Sequence, residues 1–140
     1  MFGIMLYRNM KAEGEHPLVG RSHTCLGVIV DGPRREIEVD DEGYVNLGPD
    51  GMSVTPNDPH GLPMWRLPKA FGGTGSYHLW CISLDALPDG LEYHPDPQNA
   101  DRHGTIVPAY RMLLDQYEDL LCSTRLDWQR VPAWPQEDTS

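Results

Sequence analysis

The chain has 140 residues, a length typical of one domain, and its 21 acidic and 11 basic residues leave a formal net charge of −10. That charge argues against a broad surface for nucleic acid or anionic lipid, because such binding depends on many lysines and arginines. It still permits a local basic site for a small anionic ligand. We expect a monomer with one domain over residues 1–131 and a flexible C-terminal tail over 132–140.

The cysteines and the N-terminal residues give an expectation for the cellular compartment of the protein. Cys25, Cys81 and Cys122 are widely separated in apolar surroundings, which predicts buried free thiols in a reducing compartment. The run FGIMLY is too short for a signal peptide or a membrane span. We expect a protein of the cytoplasm, of the producing or of a target cell, whose export would need no signal peptide. The histidines show no ligand-like pairing, so no metal is expected.

The first half of the chain reads as strands and one long loop. GIMLYR at 3–8 and CLGVIVD at 25–31 predict strands, and the alternation in REIEV at 35–39 predicts an exposed strand or hairpin arm. Residues 48–75 hold five prolines and many glycines, which excludes a helix. The apolar residues among them, such as Trp65, favour a long loop that is ordered.

The second half adds more short strands and one helix. HLWCISL at 78–84 predicts a central strand, and LEYH at 91–94 and GTIV at 104–107 predict further ones. Residues 110–123 carry apolar positions at helical spacing, and LDWQRV at 126–131 reads as a last strand. The predicted fold class is therefore α+β, dominated by short strands.

Two residues could bind a small anion or support a binding site. Arg8 ends an apolar strand, where a guanidinium is costly unless it meets an anion. The alternative is an edge-strand arginine that reaches out to water. Ser53 shares one strand face with Thr55, and these hydroxyls either orient a neighbouring arginine or a ribose or are satisfied by the backbone.

Two further features are open to two readings. FGGTG at 71–75 would let backbone amides approach a phosphate, but it lacks both the Walker pattern and the dinucleotide fingerprint, so a flexible turn is the alternative. His103 precedes the strand GTIV and shares a face with Thr105 and Val107. It could hydrogen-bond a sugar hydroxyl or a leaving group, or simply be exposed.

Three short blocks together carry a family resemblance. LYR at 6–8, GMSV at 51–54 and H-x-T-I-x-P-A at 103–109, followed by a helix, resemble the small type VI secretion toxins with a mono-ADP-ribosyltransferase-like fold. The resemblance extends to FGGTG and to LPDGLEYHPDP, and it covers most of residues 5–131.

The resemblance implies a split β-sheet, in which two short sheets flank a cleft for NAD. In that family an arginine of the first strand contacts NAD, a hydroxyl residue on a later strand supports the site, and a glutamate near the last strands contacts the ribose. Arg8 and Ser53 match the first two positions, whereas no glutamate matches the third and His103 occupies that region. The implied catalytic residues are Arg8, Ser53 and His103, and the implied NAD-binding residues are Arg8, Tyr7, Ser53, Thr55, Gly72, Gly73 and His103.

The function implied by the resemblance is that of an NAD-dependent mono-ADP-ribosyltransferase toxin. Such a toxin would act in the cytoplasm of a target cell and would be neutralised by an immunity protein that covers the cleft. The alternative is a non-catalytic protein of the same fold, or a toxin that acts by binding a target. The missing glutamate keeps this alternative open.

Overall fold

Ten short strands and one α-helix make up the regular structure of residues 3–132, the part of the chain that the computed structural model describes. The predicted tail at 132–140, apart from Pro132, lies outside the described residues. The strands are β1 Met5–Met10, β2 Ala12–Glu13, β3 His16–Pro17, β4 Tyr44–Val45, β5 Met52–Pro56, β6 His78–Ser83, β7 Leu91–Pro95, β8 Gly104–Pro108, β9 Met112–Leu113 and β10 Gln129–Arg130, and the helix is α1 Leu114–Ser123.

Six of these strands form one antiparallel sheet in the order β10-β6-β1-β5-β8-β7. The sheet is divided in the middle, because β1 and β5 are paired only at Leu6–Pro56 and Tyr7–Thr55. By contrast, β1 pairs with β6 over six residues and β7 with β8 over five. We call the diverging gap beyond Tyr7 and Thr55 the fork. The predicted α+β class with a split sheet is thus confirmed.

The main core lies on one face of the sheet, where alternate residues of β1, β5 and β6 are buried. Helix α1 covers this face with Tyr117 and Leu121, both buried. The Tyr117 hydroxyl donates to the Ile106 carbonyl (2.5 Å) and accepts from the Met52 amide (3.2 Å), which ties the helix to β5 and β8. The residues that the sheet contributes to this core include Leu6, Met10, Met52, Val54, Trp80, Ile82 and Ile106.

The predicted strands at 25–31 and 35–39 are wrong. Both segments are irregular, apart from an isolated bridge between Val19 and Leu26. Their apolar residues do reach the core, since Leu26, Val28 and Ile37 are buried. In the first segment the Arg8 side chain, rather than another strand, binds the carbonyls of Cys25 and Gly27.

The other predicted elements are confirmed with changed bounds. The long loop is interrupted by β5 and by 3-10 helices at Pro59–Gly61 and Lys69–Phe71. The helix begins only at Leu114, because Met112–Leu113 pair with Tyr44–Val45. The last predicted strand shrinks to Gln129–Arg130, since Arg125–Asp127 form a 3-10 turn.

The cysteines are free, as predicted, but they are not all buried. Cys25 is buried, Cys81 is half-buried and Cys122 is exposed. Helix α1 turns Leu121 towards the core, so the next residue faces solvent. No helix among residues 3–132 is long and apolar enough to cross a membrane.

Candidate active site

Two adjoining cavities open at the fork, and Ser53 and His103 line both of them. The first cavity has a volume of about 330 Å³ and lies between β5, the segment 57–77 and the loop 99–103. The second has a volume of about 420 Å³ and extends along β7 and β8. We call the two together the cleft.

The two cavities differ in charge. The first is lined by three arginines, Arg8, Arg66 and Arg102, and by no carboxylate of the described residues. The second has a mixed lining, whose ionisable members are Arg35, Glu36, Asp50, His94, Asp96 and His103. An anionic group is therefore favoured in the first cavity, and the polar groups that could exchange protons are concentrated around the second.

Arg8 sits where β1 leaves β5, and it is 1% exposed. Its guanidinium spans the fork, because Nη1 donates to the Ser53 carbonyl at 2.7 Å. On the other side Nε and Nη2 donate to the Cys25 carbonyl at 3.1 and 3.0 Å, and Nη2 also reaches Ser22 and Gly27. The alternative of an edge arginine that reaches water is therefore wrong.

The charge of Arg8 is retained despite this burial. Burial lowers the pKa of Arg8 to about 10, the nearby Glu36 carboxylate raises it, and Arg66 lowers it. A pKa near 10 keeps the guanidinium protonated at neutral pH. Arg8 thus brings a positive charge to the wall of the first cavity while its hydrogen bonds fix the surrounding backbone.

Glu36 is the residue that the sequence reading missed. Its Oε1 accepts from the Ile29 amide (3.1 Å), its Oε2 accepts from the Ser53 amide (3.4 Å), and Oε2 lies 3.9 Å from Nη1 of Arg8. The side chain is 11% exposed and lines the second cavity. In the sequence nothing separates it from Glu38, whose side chain is 71% exposed.

Ser53 is held by its backbone and keeps its hydroxyl available. Its carbonyl accepts from Arg8, its amide donates to Glu36, and it is paired with Thr105 across β5 and β8. Among the described residues no hydrogen bond to its hydroxyl is found. Thr55, two residues along the same strand, is buried and lines the first cavity.

Arg66, Arg102 and Trp65 form the outer wall of the first cavity. Arg66 is held by the carbonyls of Asn9 and His23, its pKa is lowered by burial, and its buried Nε has no partner among residues 3–132. Arg102 is exposed at the mouth. Trp65 is 72% exposed, so an aromatic face stands beside the arginines.

His103 lies just before β8, at the entrance of the cleft, with 41% of its side chain exposed. Its Nδ1 is 3.2 Å from Oδ2 of Asp96. The intervening loop is closed at its neck, because the Asp96 amide donates to the His103 carbonyl (3.0 Å) and the His103 amide donates to the Asn99 carbonyl (2.9 Å). The ring is therefore fixed on one side only.

The predicted residues are not all brought together. Arg8, Ser53, Thr55 and His103 line the first cavity. Tyr7 points to the other face of β1 and packs with Leu67, Phe71 and Leu79. Gly72 and Gly73 follow the 3-10 helix Lys69–Phe71, where Gly72 adopts φ 95°, and neither lines the cleft. Their role in binding NAD stays a prediction.

The described residues 3–132 contain no group of three or more His, Cys, Asp or Glu side chains that could hold a metal ion. The polar groups of the cleft are instead guanidinium, hydroxyl, imidazole and carboxylate groups. A small α+β fold whose divided sheet opens on an arginine-lined cleft is the arrangement of the ADP-ribosyltransferase class.

Comparison with known families agrees with this class. Residues 7–128 match the family described as Tse2 ADP-ribosyltransferase toxin, and the chain belongs to that family. The resemblance inferred from LYR, GMSV and H-x-T-I-x-P-A is thereby confirmed at the level of the toxin family. Neither the curated proteins nor the solved structures yielded a match to the chain.

Proposed function

We propose that this toxin is an NAD-dependent mono-ADP-ribosyltransferase. The observation that carries the proposal is the junction of two unlike cavities at Ser53 and His103. The first is cationic, with no carboxylate of residues 3–132 in its lining, and the second has acid–base groups. A dinucleotide needs both environments, since its diphosphate is anionic and its nicotinamide ribose is the reacting centre. The cleft offers them side by side.

Cleavage of the nicotinamide–ribose bond develops positive charge on the sugar. Catalysis therefore depends on holding the diphosphate, orienting the ribose and bonding its hydroxyls, rather than on proton transfer to the leaving group. In our proposal Arg66 and Arg102 bind the diphosphate directly. Arg8 contributes charge behind them and fixes Ser53, because its own hydrogen bonds go to backbone carbonyls.

The remaining roles follow from position in the cleft. Ser53 and His103 stand at the junction and bond the ribose, and Thr55 supports the first cavity from β5. The exposed face of Trp65 is suited to stack on the adenine or the nicotinamide ring. Tyr7, Gly72 and Gly73 are proposed to support the cleft from behind rather than to line it.

The cellular setting is also part of the proposal. We infer delivery by a type VI secretion system and action in the cytoplasm of the target cell. A toxin of this kind needs an immunity protein that covers the cleft in the producing cell. The exposed Trp65, which lines the first cavity, and its exposed neighbour Met64 offer that partner an apolar anchor. A neighbouring small open reading frame whose product co-purifies tightly with the toxin is the expected finding.

One observation favours a second candidate, a toxin that binds its target without chemistry. Glu36 uses both of its carboxylate oxygens in hydrogen bonds within the chain, and Arg8 uses its guanidinium nitrogens in the same way. The carboxylate that pairs with Arg8 is therefore not free to contact a ligand. A binding toxin would use the same cleft as a recognition surface and would leave NAD intact.

Incubation with NAD labelled on its adenylate part and a bacterial lysate separates the two candidates. We expect nicotinamide release and transfer of label by the protein, and a loss of both in Arg102→Ala and His103→Ala. Arg34→Ala is the matched control, because Arg34 is exposed and lies outside the cleft.

Expression in the bacterial cytoplasm gives the parallel readout. Growth inhibition by wild type and by Arg34→Ala, with relief in Arg102→Ala and His103→Ala, is expected. Full toxicity in both cleft variants, without release of nicotinamide, would sink the enzymatic proposal and favour the binding toxin.

A further inference from the structure

We propose that Asp96 and His103 form a carboxylate–imidazole pair in which Asp96 positions His103 as the base for the ADP-ribose acceptor. This inference rests on the proposed function and specifies one step of it. It names the base that takes the proton of the attacking acceptor.

The pair is fixed by the loop that connects β7 and β8. Oδ2 of Asp96 lies 3.2 Å from Nδ1 of His103, while its Oδ1 accepts from the Gln98 amide at 2.9 Å. The backbone closes the same loop, because the Asp96 amide donates to the His103 carbonyl at 3.0 Å. Carboxylate and ring are thus joined both through their side chains and through the chain itself.

The second ring nitrogen is available for chemistry. No described residue forms a hydrogen bond with Nε2 of His103, and the ring lines both cavities next to Ser53. When Nδ1–H donates to Asp96, the neutral ring must carry its lone pair on Nε2. The pair therefore presents a basic nitrogen at the junction where the ribose is proposed to lie.

The charges around the imidazole come from every wall of the cleft. The carboxylate of Asp96 stays ionised at neutral pH, since its pKa is lowered, first by the Gln98 amide and then by His103. The other charged or titratable groups that face the cleft are Arg8, Arg66 and Arg102 on the first cavity and Arg35, Glu36, Asp50 and His94 on the second. Asp96 is the carboxylate among them that contacts the ring.

The proposed step balances as a substitution at the ribose. The acceptor, a hydroxyl group of a target molecule or of water, forms a bond to the anomeric carbon with its oxygen lone pair. The bond from that carbon to the nicotinamide nitrogen breaks, and its electron pair neutralises the pyridinium. The acceptor proton moves to Nε2 of His103, and Asp96 stabilises the resulting imidazolium.

A second aspartate–histidine pair in the chain provides a matched control. Oδ1 of Asp58 lies 3.0 Å from Nδ1 of His60 and also accepts from the His60 amide, so one oxygen makes both kinds of contact that Asp96 divides between its two oxygens. Neither Asp58 nor His60 lines the cleft. The variants Asp96→Asn and Asp58→Asn thus make the same chemical change inside and outside the site.

The first test needs no activity. Nitrogen-15 NMR of the imidazoles should show His103 as the Nδ1–H tautomer in wild type and in Asp58→Asn, and a change of tautomer in Asp96→Asn. An Nε2–H tautomer in wild type, or a His103 tautomer that Asp96→Asn leaves unchanged, would overturn the pair whether or not the protein acts on NAD.

The second test measures the rate of ADP-ribosyl transfer against pH. The rate of NAD hydrolysis is measured separately, so that reaction with water is distinguished from transfer to a target hydroxyl. Asp96→Asn should lower kcat by roughly 10- to 100-fold across the profile and leave KM for NAD within about twofold, since the ring then no longer presents its lone pair on Nε2. Asp58→Asn should match wild type. An unchanged profile in Asp96→Asn would overturn the role of His103 as a positioned base.

The outcomes also separate the two proposals. If the His103 tautomer depends on Asp96 but wild type neither releases nicotinamide nor transfers label, the proposed function fails while the pair itself is supported. If wild type reacts with NAD, and Asp96→Asn changes neither the His103 tautomer nor the profile of rate against pH, the proposed function stands and the pair is overturned.

Discussion

The Arg8 end and the His103 end of the cleft are built in opposite ways. Arg8 is almost completely buried, and its guanidinium is surrounded by backbone carbonyls from four residues. His103 is partly exposed, with one side-chain partner and one ring nitrogen open to the cleft. The difference teaches that a positive charge of the cleft can belong to a residue that the fold depends on, whereas the residue proposed to transfer a proton is one on which the fold depends little.

The largest effect on stability is expected at the buried end. Arg8→Ala leaves the carbonyls of Cys25 and Ser53 without their donor and the carboxylate of Glu36 without its positive partner, so we expect a loss of about 3–5 kcal/mol in the free energy of unfolding. Urea denaturation followed by tryptophan fluorescence measures it. Arg34→Ala is the control and should stay within about 0.5 kcal/mol of wild type.

A stable Arg8→Ala protein that has lost only activity would break the comparison. It would mean that the fork holds together without the guanidinium, and that Arg8 acts mainly on the ligand.

Glu36→Gln should have a smaller effect at the same end. The amide keeps one acceptor for the Ile29 amide but loses the charge beside Arg8, so we expect a loss of about 1.5–3 kcal/mol in unfolding free energy. Glu38→Gln, in the same segment but exposed, is the matched control. Equal stability of the two variants in urea would show that the 3.9 Å ion pair contributes nothing measurable.

At the other end the expectation is reversed. His103→Ala should reduce ADP-ribosyl transfer by roughly 100- to 10,000-fold, the range of general acid–base catalysis, with less than about 1 kcal/mol lost in stability. Transfer assays and urea curves on the same preparation give both numbers. A large loss of stability would instead make His103 a structural residue of the loop neck.

The smallest effect concerns acid. The pKa values of Asp96 and Asp58 are lowered in the fold, mainly by backbone amides and then by their histidine partners. A carboxyl group whose pKa is lowered in the fold contributes stability at any pH above its pKa in the unfolded chain, about 3.9. That stability is lost as the pH falls through its pKa in the folded protein.

These two groups should therefore leave the urea midpoint unchanged above pH 5 and lower it below about pH 4. The decline should be less steep in Asp96→Asn. Arg8, with a pKa of about 10, stays protonated throughout this range and adds no acid dependence. A decline that Asp96→Asn leaves unchanged would assign the acid sensitivity elsewhere.

The sequence predicted the exposed end of the site better than the buried end. The alternation in GTIV predicts a strand directly after His103, and β8 begins at Gly104 as expected. Arg8 was identified as costly in an apolar strand, but its partners lie in a segment that the apolar run CLGVIVD made look like a strand. Local periodicity cannot reveal that a distant guanidinium takes the carbonyls of that run.

For a related reason, the sequence does not single out Glu36 and Asp96. Glu36 and Glu38 alternate with apolar residues and differ only in which one the fold turns towards Arg8. Asp96 lies in a turn-rich stretch, where an aspartate is expected to cap a backbone amide, and it does so with Gln98. Its contact with His103 depends on the closure of the whole loop.

The order in which the strands are placed on the two sides of the short β1–β5 pairing has a consequence for the synthesis of the protein. The chain passes from β1 across the fork to β5, returns to β6, crosses again to β7 and β8, and ends at β10 beside β6. Strand β8 joins β5 to β7, so a nascent chain that stops before His103 lacks the link between them and lacks His103 itself. A fragment that ends before His103 therefore lacks one wall of both cavities.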